Sequence, residues 1–301
     1  MPSREMHVVN NTKMSGLSQP VRVIAVTGGK GGVGKSSVSV NLATGLAAAG
    51  RRVVLLDGDL GLANVDVLLG LSPRYTLAHV LAGERTLDEI MVTAKQGFKI
   101  VPAASGAADL AGMGGAGHLG LVQAFSSIAT RLDVLIIDTA AGIAPGVLQF
   151  SQAAQHVLVV VTDEPASITD AYALIKVLSR DHNVTRFRVV ANMSRAAGEG
   201  ETLFRKLERV TSRFLDVILE YAGEIPDDEH MRRAIRVQRP VLDAHPASPA
   251  GRAFKKLAAV ADTWPVPAGP RGNLEFFVER LVRRSTAQLE RVPLGRPEVA
   301  Q

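Results

Sequence analysis

Val21-Arg22-Val23-Ile24-Ala25-Val26-Thr27-Gly28-Gly29-Lys30-Gly31-Gly32-Val33-Gly34-Lys35-Ser36 is the stretch that decides how this chain folds. It opens on a mostly apolar, β-branched run, Val21 to Thr27, passes through the frame of glycine, four residues and Gly-Lys-Ser, and continues from Ser36 to Ala49 as an Ala/Leu-rich helix ending at Gly50. Strand, glycine-rich loop and helix, in that order, form a phosphate loop, in which successive backbone N–H groups cradle phosphates. Glycine reaches the conformations that bring those groups together, and the helix N-terminus adds a partial positive charge. Gly29, Gly31, Gly32, Val33 and Gly34 are therefore expected at the phosphates, with Lys35 pairing their charge and the Ser36 hydroxyl, beside Ser37, ligating Mg²⁺. Lys30 is the unusual member, a second lysine where the frame asks for nothing.

Outward from this unit, strand-like runs recur at Arg52–Asp57, Phe98–Pro102, Val134–Asp138, Val157–Thr162, Phe187–Asn192 and Val217–Leu219, with Ala-rich helical segments between most of them. The runs at 53–56, 134–137 and 157–161 are continuously apolar, as in strands covered on both faces. The expected fold is α/β, a doubly wound and mostly parallel sheet with helices on both faces. Residues 1–19 are expected as a flexible extension, 20–264 as the nucleotide-binding domain, and 265–301 as a terminal segment with an amphipathic helix over about 273–284 and a flexible tail. Ala103 to Gly117 reads as a Gly/Ala-rich connection, and Trp264 to Gly272 as a Pro/Gly-rich one.

With 301 residues and 47% hydrophobic content the chain can bury a large core. It contains no cysteine, which excludes disulfides, thiol catalysis and Cys-ligated metal or iron–sulfur sites and fits a reducing cytoplasm. The start is polar, without the apolar core of a secretory signal, and no stretch approaches about twenty uninterrupted apolar residues. A net charge of +5 permits contact with nucleic acid or anionic membrane without demanding either.

Polar residues cluster just after the strands: Asp57 and Asp59, then Asp138, then Thr162-Asp163-Glu164, then Asn192. In open parallel sheets these positions converge on one crevice outside the carboxyl ends of the strands. Leu135-Ile136-Ile137-Asp138 is an apolar strand ending in a carboxylate, the pattern that holds Mg²⁺ together with the loop serine. Gly142, in the Thr139-Ala140-Ala141-Gly142 turn after it, could let a peptide N–H sense the terminal phosphate. Read alone, Asp57-Gly58-Asp59 is a tight turn and Asn192 a strand-end turn residue.

The loop with its extra lysine, together with Leu56-Asp57-Gly58-Asp59-Leu60-Gly61-Leu62-Ala63-Asn64, resembles the MinD/ParA class of P-loop ATPases. The resemblance covers roughly Pro20 to Val282. It is closest to the flagellar-number regulators of the FlhG group in their FleN-type form, through Gly61–Gly70, Ile100–Gly106, Asp138–Ile143 and Asp163–Tyr172. It implies ATP and Mg²⁺ as ligands, with Asp59 as the catalytic aspartate that positions the attacking water and Asp57 as a supporting carboxylate near the magnesium. It further implies Ser36 and Asp138 at the metal, Lys30 reaching across an ATP-dependent homodimer to the partner's phosphates, Asn192 reading adenine, and Pro226 and Asp227 in the loop that packs on the base. The class commonly carries proline where this chain has Ala140 or Ala141. The FleN-type role it implies is restraint of a AAA+ flagellar transcriptional regulator such as FleQ. Stimulation of the FlhF GTPase is doubtful, because the N-terminal Asp-Gln-Ala element of many FlhG proteins is missing from residues 1–19. An inner-membrane or polar location when ATP-bound is compatible with the class.

Leu274, Phe277, Val278, Leu281 and Val282 share one helical face, which suits either a membrane surface or docking on the chain's own core. Relatives with other functions fit less well. Iron–sulfur carriers need cysteines, and tyrosine kinases of the class need a terminal tyrosine cluster, whereas Tyr75, Tyr172 and Tyr221 are scattered. A DNA-binding partition ATPase would use Arg232, Arg233, Arg236, Arg239, Arg252, Lys255 and Lys256. These read as solvated helix faces, since no groove-reading motif accompanies them.

Overall fold

The computed structural model describes residues 20–59, 64–103, 124–129, 131–266 and 278. Eight strands form one sheet: β1 (Arg22–Thr27), β2 (Val53–Gly58), β3 (Val92–Thr93), β4 (Lys99–Val101), β5 (Val134–Thr139), β6 (His156–Val161), β7 (Arg186–Ser194) and β8 (Ile218–Pro226), in the spatial order β3-β4-β2-β5-β1-β6-β7-β8. All neighbours pair parallel except β3, which runs antiparallel to β4 at the edge. The mostly parallel, doubly wound expectation is met, with each predicted strand present.

The central strands are buried on both faces, and their alternate residues divide the core. Ile24, Val26, Val53, Leu55, Val134 and Ile136 pack on one side with helices Lys35–Ala48 and Pro249–Asp262. Val23, Ala25, Val54, Leu56, Leu135 and Ile137 face the other way, with Phe125 and Phe150. A third cluster joins Val157, Val159 and Val189 to Leu174, Ile175 and Leu207 of helices Pro165–His182 and Glu199–Phe214. This double burial explains why the strands are apolar throughout rather than alternating.

Gly45 allows the phosphate-loop helix to lie directly on Pro249–Asp262: a Cβ there would stand 2.5 Å from that of Ala258. Val278 is fully buried among the residues of the second cluster, on the sheet face opposite the phosphate-loop helix. Leu274, Phe277, Leu281 and Val282, the connection after Ala103 and the 1–19 extension lie outside the described residues. Among the described residues no helix is long and apolar enough to cross a membrane.

Candidate nucleotide site

The parallel sheet aligns the carboxyl ends of β1, β5 and β2, so the phosphate loop, Asp138 and Asp57 arrive together; Asp57 and Asp138 are direct partners in the β2–β5 register. Gly32 and Gly34 hold φ of 80° and 90°, conformations open to glycine and strained for other residues. A Cβ on Gly31 or Gly32 would meet no atom within 4 Å, which leaves open space over the loop backbone. Gly29 is required for the opposite reason, because a Cβ there would lie 2.1 Å from the backbone of Asp170. The loop is thus pressed onto helix Pro165–His182 on one side and open on the other.

Lys35 begins the helix and is 9% exposed. Burial pulls its pKa down, while the carboxylates of Asp138 and Asp59 act in the opposite direction. Asp138 is 1% exposed and accepts a hydrogen bond from Ser39 Oγ at 2.8 Å. Burial pushes its carboxyl up to about 6, against hydrogen bonds from Ser36 and Ser39 and the charge of Lys35. Asp57 is pushed up to about 7 by burial and by Asp138, although its oxygens accept backbone N–H bonds from Val65, Asp59 and Asn64 at 3.2 to 3.3 Å. A buried lysine, two carboxyl groups whose pKa values are raised and a hydroxyl therefore surround a glycine cradle. This donor set suits a phosphate chain with a hard divalent cation, which would relieve the repulsion between the carboxylates. No group of three His, Cys, Asp or Glu side chains forms a metal cluster by itself among the described residues.

Asp59 lies at the end of the described part of its loop and donates its N–H to Asp57; Leu60 to Ala63 of the second motif are outside the described residues. Lys30 stands on the loop's rim, where its Nζ pairs with Glu164 at 2.7 Å, both side chains more than a third exposed. Ser37 supplies its carbonyl to the Asn41 side chain. Gly142, at φ 85°, donates its N–H to Gly28 O at 3.0 Å, so that N–H is engaged by the chain itself. Asn192 lies near the carboxyl end of β7 beside the loop, its Nδ2 donating to Val33 O at 2.8 Å. Pro226 and Asp227 line a cavity of about 580 Å³ with Ser194, Arg195 and Tyr221, and the Asp227 carboxylate pairs with Arg232 at 2.5 Å.

Ser39 was not singled out in the sequence, and Glu164 was expected at the crevice but not as the partner of Lys30. Ser39 follows Ser36 by three positions, one helical turn, which is the signal that could have placed both hydroxyls by one carboxylate. Glu164 meets Lys30 only through the pairing of β1 with β6. Of the basic residues weighed as a DNA surface, Arg232, Arg233 and Arg239 are ion-paired with Asp227, Glu229 and Asp243.

Comparison with known proteins agrees with this geometry. The ParA family model, described as NUBPL iron-transfer P-loop NTPase, matches residues 19–261; the cysteine-free chain offers no thiolate for the iron in that description. The chain is 60% identical over 271 residues to antiactivator FleN of Pseudomonas aeruginosa, covering 90% of this chain and 97% of that protein. It is 32% identical to the flagellum site-determining protein YlxH of Helicobacter pylori, covering 87% and 90% of the two chains. The solved septum site-determining protein MinD from Pyrococcus horikoshii, complexed with Mg-ADP, superposes with a TM-score of 0.64 at 26% identity, covering 81% of this chain and 96% of that one. A buried lysine and carboxylate at the carboxyl edge of a parallel sheet, matched by these sequences along most of their length, make the chain a member of the ParA/MinD family of P-loop NTPases.

Proposed function

We propose that this protein is a Mg²⁺-dependent ATPase switch that restrains flagellar biosynthesis: ATP promotes a homodimer that binds and inhibits a AAA+ flagellar transcriptional regulator of the FleQ type, and hydrolysis releases it. The flagellar assignment rests on the 60% identity to an antiactivator over nearly the whole length of both chains. The switch rests on one observation, that Lys30 stands at the rim of the cradle in an exposed ion pair with Glu164. Such a pair is worth little in water, so exchanging Glu164 for the phosphates of a second copy costs little.

In this reading the loop N–H groups and Lys35 hold the phosphates, Ser36 and Asp138 hold Mg²⁺, and Asp57 supports the loop carrying Asp59 through its backbone hydrogen bonds. When bound, the metal neutralises charge on the phosphoryl oxygens. Asp59 orients the attacking water, and Lys30 of a second copy adds a cation where charge develops once closure excludes solvent. Asn192, Pro226 and Asp227 lie on the adenine side. The protein works in the cytoplasm, and the burial of Val278 among the second core cluster favours docking of that residue over its contact with a membrane.

Size-exclusion chromatography with saturating ATP tests the switch. Asp59→Ala should dimerise while hydrolysing poorly, and Lys35→Ala should do neither; a monomeric Asp59→Ala protein sinks the dimer model. The ATP-locked dimer should capture the AAA+ regulator and suppress its ATPase. Tight, steeply salt-dependent binding to random duplex DNA would instead favour a partition ATPase.

A further inference from the structure

We propose that the cavity between the phosphate-loop helix and the last long helix binds a small amphipathic carboxylate, and that its occupancy is coupled to nucleotide binding. The coupling rests on the ATP-binding reading above; the site itself does not.

About 530 Å³ of space lies where helix Lys35–Ala48, the β3–β4 turn and helices Val241–Ala244 and Pro249–Asp262 meet. That volume is in the range of small-ligand pockets. Its floor is the close contact of the two long helices, where a Cβ on Gly45 would stand 2.5 Å from that of Ala258 and 3.2 Å from Leu242 Cδ2. The helices cannot approach further there, so the space beside that contact stays open. Hydrogen bonds between elements tie the walls together: the N–H of Leu242 donates to Asn41 Oδ1 at 3.0 Å, and Gln96 Nε2 donates to Asp243 Oδ2 at 2.9 Å. The cavity is thus pre-formed, and a ligand entering it meets ordered walls.

The lining is apolar at Gly45, Leu242 and Ala258 and basic at the rim. Lys255 lines the cavity, is exposed, and enters no ion pair among the described residues. Neighbouring bases are engaged, Arg22 and Arg51 with Asp262 and Arg239 with Asp243. Asp243, the carboxylate in the lining, already accepts from Arg239 and Gln96, and Lys95 adds a further positive charge beside it. A ligand with an apolar body and one carboxylate matches both parts: the body leaves water against the floor, and the carboxylate pairs with Lys255. A cation of the same shape would meet like charge. Helix Pro249–Asp262 separates this cavity from the one beside Pro226 and Asp227, with Ala253 and Leu257 lining that cavity and Lys255 and Ala258 this one. The other long helix begins at Lys35. A ligand seated between them bears on both, and linkage requires nucleotide and carboxylate to change each other's affinity by the same factor.

Sodium decanoate, kept below its micelle-forming concentration, is the probe, titrated calorimetrically into the nucleotide-free full-length protein. It should bind saturably and shift the amide resonances of Gly45, Ala48 and Ala258. Lys255→Gln should weaken it roughly two- to fivefold, as expected for one exposed ion pair. Ala259→Phe, at the exposed rim, places a ring in the space and should abolish saturable binding; Ala48→Phe replaces it if that variant does not fold. Decyltrimethylammonium, of the same chain length and opposite charge, should bind more weakly than decanoate. Saturating Mg-ATP should shift the decanoate affinity, and saturating decanoate the ATP affinity, by the same factor, roughly fivefold or more. No saturable binding, or wild-type affinity in a folded rim variant, overturns the site. Equal affinity for the two amphiphiles, or wild-type affinity in Lys255→Gln, overturns the carboxylate as its ligand, and decanoate affinity identical with and without ATP overturns the coupling. Failure of the wild-type protein to bind ATP would sink the proposed function, while the decanoate titration of nucleotide-free protein would still decide the site.

Discussion

Lys35 and Lys30 share one loop, and burial gives them different work. Lys35 is shielded from water and faces Asp138 and Asp59, so a phosphate placed against it gains a charge-assisted bond at low solvation. Lys35→Ala is expected to lower ATP affinity by about 10- to 100-fold in an equilibrium titration. Lys30 is solvated, and its hydrogen bond to Glu164, together with that carboxylate's charge, raises its pKa. Glu164→Gln should therefore leave the melting temperature unchanged, since an exposed pair contributes little. Lys30→Ala should keep nucleotide binding and lose the part of ATP turnover that rises with protein concentration; unchanged turnover would refute its role across the dimer. Both lysines were legible from their place in the frame. Ser39 was not, and Glu164 was placed at the crevice without its partner, because neither occupies a position the frame names and each contact is made by a strand or helix turn that only folding brings near.

Helices and strands were readable where burial is symmetric and misread where the sheet ends. The continuous apolar runs of β1, β2, β5 and β6 mark strands covered on both faces. β3 was missed, being two residues paired at one edge, with Thr93 exposed. β8 was expected over Val217–Leu219 and runs Ile218–Pro226 at the other edge, where Glu220, Tyr221 and Glu224 keep contact with solvent and blunt the apolar pattern. Helix packing yields a contrast between two glycines. Gly45→Val must push apart helices Lys35–Ala48 and Pro249–Asp262 and should cost roughly 1–3 kcal/mol in urea unfolding. Gly146→Ala, in helix Pro145–Ala153, meets no atom within 4 Å and should be neutral or stabilise by up to about 1 kcal/mol through helix propensity.

Opposite the nucleotide site, the amino ends of β6, β7 and β8 close on the end of the last long helix. His156 Nδ1 lies 2.8 Å from Arg188 Nη1 and its Nε2 3.0 Å from Pro265 O. Arg188 in turn lies over the Trp264 ring and pairs with Glu220. Because the guanidinium only donates and the carbonyl only accepts, Nδ1 is the acceptor and Nε2 carries the proton. Burial first, and Arg188 second, push the imidazole down to about 3. The folded state thus binds fewer protons than the unfolded state between about pH 3 and 6.5, and stability falls as the pH drops through that window. From pH 7 to pH 5 this group should cost roughly 2 kcal/mol. Urea unfolding of His156→Gln should show a shallower acid loss than wild type, and identical slopes would remove His156 as the cause.

The order of residues along the chain determined the phosphate loop, the parallel sheet and the carboxylates at its strand ends, because phosphate binding and double burial each demand particular residues at short spacing. Tertiary structure alone decided that Glu164 holds Lys30, that Ser39 joins Ser36 at Asp138, that Asn192 turns its amide nitrogen to Val33 and that Val278 is buried in the core. These contacts join positions far apart in the chain, and their partners are selected by which strands lie side by side, a choice that no local periodicity encodes.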